Sequence, residues 1–561
     1  MTANETETGA AVVCDALVDA GIDLLIGLPG VQTLPLDRII AERKDISYVM
    51  ARHETAIPHT AWGYFEACGR PAATLTVPGP GDTNAMHGLK NALEDGVPII
   101  HIAADVNPED RGKGPIHEIE SDTFDNVVKA NYAIERGVEL GPAIAAGITK
   151  ALTPPFGPVR FGISRRILAD PVDTPRTTIE PALVEHDNDA AYAAATDLLA
   201  GAERPVLYFG GGLRRSPGGP AAARELASAL DAPVVCSYKG KGTLPDDDPR
   251  FLGVTGTHLP EATCGVLERS DVVLALGADF DGVNTRNWSL PFGKALIEVN
   301  VDSRSIGRSY DTTVGIVADA GKAARELTDR LDGSELSTWN GTAIATAARA
   351  AYERSLTEQG FLKDSTPVRS AALLKVVADR VPDDTIVTTD IGGFRLWSLQ
   401  RFPTDDPTSF ISPGSWAGMG TGLPAAIGAK LARPDRSVLA LCGDGGFMMN
   451  LQECHTAADY ELDITVVLSN NNDYGVISKS PDLADLELDG NRFAWRSPDF
   501  PAIVEGFGWS GFRAADTDEL GTCIEAALET AGPSLVDVAV QTDEPTAAAA
   551  ADFTDRDDPF A

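Results

Sequence analysis

Short apolar runs recur along the chain. Each ends in a glycine or proline cluster and gives way to a stretch with helical spacing. Helical periodicity runs through Ala11–Ala20. Strand-like runs follow at Asp23–Ile26, Ile46–Met50, Ala73–Val77 and Pro98–Ala103, punctuated by Gly27-Leu28-Pro29-Gly30 and Pro78-Gly79-Pro80-Gly81. Apolar strands that alternate with helices predict a parallel sheet covered on both faces.

The pattern occurs three times. A polar stretch, Pro171–Asp189, reads as a linker. Beyond it, strands are expected at Pro205–Phe209, Pro233–Ser237, Asp271–Leu276 and Ala295–Val301. A polar helical connector runs to about Asp364, and a last set of strands is expected at Thr385–Thr389, Ser437–Leu441 and Ile464–Leu468. A chain of 561 residues is too long for one hydrophobic core. The fold class is therefore α/β, with three doubly wound parallel-sheet domains over residues 1–172, 190–332 and 365–545. Their similar size suggests related folds, although no residue-level repeat is visible. The Ala/Asp-rich tail, Ala547–Ala561, reads as mobile.

Charge narrows the partners. Asp and Glu number 82 against 46 Lys and Arg, a formal net charge of -36. That field disfavours nucleic acid and anionic membrane. The acids are dispersed, which reads as a solvated coat suited to high salt rather than as a docking face. No apolar run approaches the ~20 residues of a membrane span. The polar, acidic start is unlike a secretory signal, so a cytoplasmic location is expected. Seven scattered cysteines with no C-x-x-C pair argue against a disulfide framework or a zinc site.

Candidate chemistry concentrates in the third segment. The strand Ser437–Leu441 runs into Gly443-Asp444-Gly445-Gly446, and the strand Ile464–Leu468 runs into Asn470-Asn471-Asn472. Both motifs thus fall at carboxyl ends of neighbouring strands, where open α/β sheets bind ligands. Magnesium takes hard oxygen ligands and shares them with phosphates. Asp444, the Asn471 amide oxygen and a turn carbonyl near Asp473 supply such a set. Gly443, Gly445 and Gly446 let backbone N–H groups approach a diphosphate. A lone Gly-Asp-Gly is most often a tight turn before a helix; the Asn run at this distance sets it apart.

This spacing resembles the thiamine diphosphate signature of the acetolactate synthase and 2-keto acid decarboxylase superfamily, and the resemblance covers about residues 10–540. Gly418-Met419-Gly420-Thr421-Gly422-Leu423-Pro424 resembles the run that precedes the family's metal motif. There the bulky apolar residue, here Met419, holds the cofactor bent; Ala417 lies beside it. Arg52-His53-Glu54 resembles the family segment whose Glu contacts the pyrimidine ring nitrogen. The resemblance implies that Glu54 supplies the proton that favours the imino tautomer, whose exocyclic nitrogen then takes the thiazolium proton. Asp390-Ile391-Gly392 resembles the diphosphate-side turn, but Gly393-Phe394 replace the Gln-His usual in acetolactate synthases. Gly79-Pro80-Gly81-Asp82-Thr83-Asn84 resembles a turn of the first domain. The resemblance also implies a homodimer or dimer of dimers, with Glu54 and Asp444 meeting only between subunits.

Departures from the family bear on substrate and flavin. In acetolactate synthases the central domain binds FAD. Here Asp279 stands in place of an Arg and Gly282-Val283 in place of Asp-Arg, so FAD is left open but disfavoured. His117 stands where acetolactate synthases carry Gln, a titratable group able to relay protons. Lys129 matches a Lys near their active-site entrance. Ser480 replaces their Trp, and Ser478 replaces the Glu of simple decarboxylases. The expected activity is an acetolactate-synthase-like carboligase that decarboxylates a 2-keto acid and transfers the remaining fragment to a carbonyl acceptor. The alternatives are a non-ligating decarboxylase (benzoylformate- or indolepyruvate-like) and a catalytically silent cofactor-binding subunit. A Rossmann oxidoreductase is excluded, since no G-x-G-x-x-G follows a first strand.

Overall fold

The structure is a computed structural model that describes residues 7–183, 185–256, 259–336, 339–480 and 492–542. The Ala/Asp-rich tail and the last residues assigned to the third segment lie outside the described residues. Three six-stranded sheets follow one another along the chain, and every strand pairing in them is parallel. The first contains β1 (Leu24–Gly27), β2 (Ser47–Met50), β3 (Ala72–Thr76), β4 (Ile99–Asp105), β5 (Ala130–Ile134) and β6 (Val159–Ser164). The second contains β7 (Pro205–Phe209), β8 (Val234–Cys236), β9 (Phe251–Val254), β10 (Val272–Leu276), β11 (Ala295–Asn300) and β12 (Val314–Val317). The third contains β13 (Ile386–Thr389), β14 (Phe410–Ile411), β15 (Val438–Gly443), β16 (Thr465–Asn470), β17 (Ser510–Ala514) and β18 (Ser534–Ala539).

Strand order separates the three. The outer sheets run β2-β1-β3-β4-β6-β5 and β14-β13-β15-β16-β18-β17, the same permutation. The central sheet runs β12-β11-β10-β7-β8-β9, a dinucleotide-domain order. The first and third domains are thus topological twins, and the central one is a different doubly wound fold. The central strands β3, β4 and β16 are buried at every position, which is why they read as continuous apolar runs. Among the described residues no helix is long and apolar enough to cross a membrane.

The outer domains of one chain pack directly. Helix Ala56–Cys68 lies against helix Gly422–Ala432 so closely that a Cβ on Gly63 would stand 2.3 Å from the Ala425 carbonyl oxygen, and one on Gly428 2.0 Å from that of Thr60. Only small residues permit that approach. All three domains converge on a buried ion cluster. Glu66 pairs with Arg214 at 3.1 Å, with Arg215, and with Lys239 at 2.9 Å. Lys239 also reaches Asp95 at 3.4 Å, and Asp95 accepts the Gly414 amide at 3.1 Å. Burial pushes the Glu66 carboxyl up, but Arg215, Lys239 and Arg214 outweigh it and hold the group well below the usual carboxylate range.

Candidate functional site

β15 and β16 pair in register from Leu439↔Thr465 to Gly443↔Ser469, so their carboxyl ends are level. Asp444 follows the first and Asn471 the second. A cavity of about 290 Å³ opens there, lined by Asp390, Gly392, Gly393, Met419, Gly443, Asp444, Gly445, Gly446, Asn471 and Asp473. Asp444 is 2% exposed, and burial pushes its carboxyl up to about 6 against hydrogen bonds from the Gly445 amide and Ser497. A cation at that point restores the carboxylate. The Asn471 side-chain oxygen accepts the Asp473 amide at 3.1 Å, closing the turn. On the facing wall, helix Gly393–Arg401 begins at Gly392, whose φ of 149° suits only glycine. Its first amides add N–H donors of the kind that receive phosphate.

Asp390 organises this wall, which the sequence pattern did not disclose. Its buried carboxylate accepts the amides of Ile391 at 2.7 Å, Gly420 at 3.0 Å and Gly422 at 2.9 Å. A Cβ on Gly446 would meet Asp390 Oδ1 at 2.6 Å. One side chain therefore draws together the Asp390–Gly392 turn, the Met419 loop and the Gly445-Gly446 turn. Ala417 holds a left-handed φ of 53° in that loop, and Gly420 one of 84°.

Glu54 does not line that cavity. It stands past β2 at the entry to helix Ala56–Cys68, where Asn84 donates to its Oε2 at 3.1 Å. Gly81 leaves room for it, since a Cβ there would lie 3.2 Å from Glu54 Oε1. Asn84 belongs to helix Pro80–Glu94, whose first turn is fixed by buried Asp82. Asp82 is bonded to His101 at 2.9 Å and to Arg160 at 2.6 Å.

Comparison with known proteins places these halves. The thiamine pyrophosphate enzyme N-terminal TPP binding domain matches residues 7–126, the central domain 192–327, and the C-terminal TPP binding domain 390–538. The acetolactate synthase large subunit of Parasynechococcus marenigrum (strain WH8102) is 31% identical, over 97% of this chain and 89% of its own length. The chain belongs to the thiamine pyrophosphate enzyme family. The acetolactate synthase isozyme 1 large subunit of Escherichia coli (strain K12) is 29% identical, over 96% of this chain and 94% of its own. The putative thiamine pyrophosphate-containing protein YdaP of Bacillus subtilis (strain 168) is 26% identical, over 96% and 92%.

The residues present fit thiamine pyrophosphate and a hard cation in the third domain. Among the described residues no group of three or more His, Cys, Asp or Glu is arranged to hold a metal. A cation beside Asp444 would have amide, backbone and phosphate oxygens to draw on, the donor set that suits magnesium shared with a diphosphate.

The other candidates sit elsewhere in this family member. His117 has a left-handed φ of 66°, lies 3.3 Å from Gln32 through Nδ1, and its backbone packs on the Gly79 turn. It belongs to the carboxyl edge of the first sheet, on the Glu54 side. The Lys129 ammonium donates to the carbonyls of Lys150, Thr153 and Pro155 at 2.6 to 2.7 Å. It anchors the end of helix Leu140–Leu152, and burial beside Lys150 and Arg304 lowers it to about 8. Ser478 donates back to the Asp473 carboxylate. The central crevice, lined by Gly211, Gly212, Gly277, Asp279 and Asp281, encloses about 70 Å³. Pockets that seat a cofactor run to several hundred Å³. Asp279 and Asp281 place two carboxylates in its lining.

Proposed function

We propose that this protein is a magnesium-dependent, acetolactate-synthase-like carboligase. It decarboxylates a 2-keto acid and transfers the remaining fragment to a carbonyl acceptor. The observation that carries the reading is the single cavity shared by Asp444, Asn471, the glycine turns and Met419. Thiamine pyrophosphate, when bound, supplies the nucleophilic carbon and the electron sink for loss of carbon dioxide.

The chain's own residues do the rest. Asp444, Asn471 and a carbonyl by Asp473 would hold magnesium beside the diphosphate, and the Gly443–Gly446 and Gly392-Gly393 amides would donate to its oxygens. Met419, on the cavity wall, would pack against the bound cofactor and help hold its conformation. Glu54, oriented by Asn84, would hold a proton toward the pyrimidine ring nitrogen. His117 stands on the same edge, where its imidazole serves proton transfer at the substrate. Lys129, just before β5 at the amino edge of the first sheet, holds the 150–155 turn away from the carboxyl edge, and no flavin takes part.

The acid and the cofactor seat come from two copies of the chain. Exposed apolar side chains flank both halves: Val31 and Ile116 on the Glu54 side, at 67% and 72%, and Val476 and Ile477 at the cavity mouth, at 44% and 51%. A second copy covers them. Ligation is favoured over aldehyde release because the position of the decarboxylase Glu is Ser478, whose hydroxyl is turned to Asp473. The test is a panel of 2-keto acids with purified protein, thiamine pyrophosphate and magnesium, with carbon dioxide and product mass followed together. Coupled products support the reading. Aldehyde alone, even with excess acceptor, replaces it with the decarboxylase.

A further inference from the structure

The turn that carries Glu54 is gripped by a part of the third domain that contributes nothing to the cavity lining. Glu453 is 1% exposed. Its Oε1 accepts the backbone amides of Arg52 at 3.1 Å and His53 at 3.0 Å, and its Oε2 accepts the Thr456 hydroxyl at 2.6 Å. The Arg52 side chain completes the grip. It donates to Met50 O at 2.6 Å, His455 Nδ1 at 2.9 Å and Asp459 Oδ2 at 2.7 Å. Tyr460 Oη accepts the Met50 amide at 2.7 Å. On the far side of Glu54, the Thr55 amide donates to His53 Nδ1 at 3.1 Å. Residues 50–55 are thus fixed on both sides of Glu54, while the Glu54 side chain keeps Asn84 as its own partner.

We propose that Glu453 is a positioning residue for Glu54: its buried carboxylate fixes the Arg52-His53 backbone and so sets the direction in which the Glu54 carboxyl points. The argument is chemical as well as geometric. One buried oxygen receives two converging backbone N–H donors and the other receives the Thr456 hydroxyl, and a charged acceptor holds such donors more strongly than a neutral amide oxygen. The gripping helix, Glu453–Asp459, lies a few residues beyond Asp444, and Asn450 between them donates to the Gly420 carbonyl at 2.6 Å. One continuous stretch therefore touches the metal motif, the Met419 loop and the Glu54 turn, so the diphosphate seat and the acid's turn of one chain share a single rigid support. The proposal rests on the reading of Glu54 as the group that protonates the pyrimidine ring.

The test compares Glu453→Gln, Glu453→Asp and Glu54→Gln with the unaltered protein. Two readouts are taken: deuterium exchange at the thiazolium carbon of bound thiamine pyrophosphate, and amide exchange of residues 50–56 in cofactor-free protein. Glu453→Gln is expected to slow carbon exchange by about 10- to 100-fold, the scale of a misaimed catalytic group. Cofactor affinity and KM should stay within about twofold, and protection of the Arg52 and His53 amides should fall. Glu453→Asp keeps the charge at shorter reach and is expected to fall between. If Glu453→Gln does not fold, Glu453→Asp carries the comparison alone. Wild-type carbon exchange in the Glu453 variants, with slow exchange in Glu54→Gln, overturns the positioning role and leaves Glu54 in place. Wild-type exchange in Glu54→Gln overturns the reading of Glu54 itself.

Discussion

Asp390 accepts the Gly420 amide at 3.0 Å, and this bond joins the end of β13 to the loop that presents Met419. Gly422 reaches the other oxygen of the same carboxylate at 2.9 Å. The two sides of the cofactor seat are therefore held by one acid. Asp390→Asn brings an NH2 group against N–H donors. It should cost about 1–3 kcal/mol, the scale for a buried polar group left without a partner. Cofactor affinity should fall with it, by calorimetric titration; wild-type affinity and stability in the variant would refute the role.

Asp444→Ala is expected to abolish magnesium-dependent binding of thiamine pyrophosphate, because it removes a charged ligand and leaves the diphosphate unneutralised. Chelation of magnesium from the unaltered protein should reproduce the loss. Titration with and without the metal checks both, and an unchanged affinity in Asp444→Ala counts against the metal assignment.

Glu54→Gln keeps the hydrogen bond from Asn84 but has no proton to exchange with a ring nitrogen. Turnover should drop ~100- to 10,000-fold while cofactor binding persists. Steady-state rates on the best keto acid decide it.

Glu66→Ala leaves Arg214, Arg215 and Lys239 buried without their shared anion. Breaking a buried pair in this way costs about 3–5 kcal/mol. A large drop in the thermal midpoint is expected, with partial recovery when Lys239→Met is added. Indifference of the midpoint to Glu66→Ala would show that the cluster holds nothing together.

His59 and His87 form a neutral pair with 3.0 Å between Nε2 and Nδ1, and the His87 ring packs on Gly418. Burial lowers His59 to about 3 and also lowers His87. Unfolded histidines take up protons near pH 6.5, whereas the folded pair resists, so stability is full above that pH and declines as pH falls from 6.5 towards 3. Glu66 has the opposite charge type, and its contribution is lost only below about 4.5, its unfolded value. Between pH 6.5 and 5 the slope of stability should therefore flatten in His59→Gln. Equal slopes in variant and wild type exclude the pair as its source.

Sequence alone was enough for what is local. Pro205–Phe209 is a strand at the residues where its apolar run lies, and the runs before Asp444 and Asn471 became neighbouring strands. A strand buried on both faces writes its burial into consecutive residues, and a glycine turn writes its geometry into its own composition. Five of the six edge strands left no such record: Ala130–Ile134, Phe251–Val254, Val314–Val317, Phe410–Ile411 and Ser510–Ala514. Incomplete cover accounts for Ala130–Ile134, which buries only its last residue, but not for Phe251–Val254, buried throughout, nor for the interior strands Val159–Ser164 and Ser534–Ala539, which were not read from the sequence either.

The shared strand order of the outer domains also needed the structure, since pairing joins strands that are distant in the chain. So did the partners of the site residues. Glu453 meets His53 across 400 positions, Asp390 meets Gly420 across 30, and Lys129 spends its ammonium on carbonyls that no motif marks. A motif records which groups a reaction needs. The direction in which those groups point is set by buried acceptors brought in from other parts of the chain, and only the folded packing decides which ones arrive.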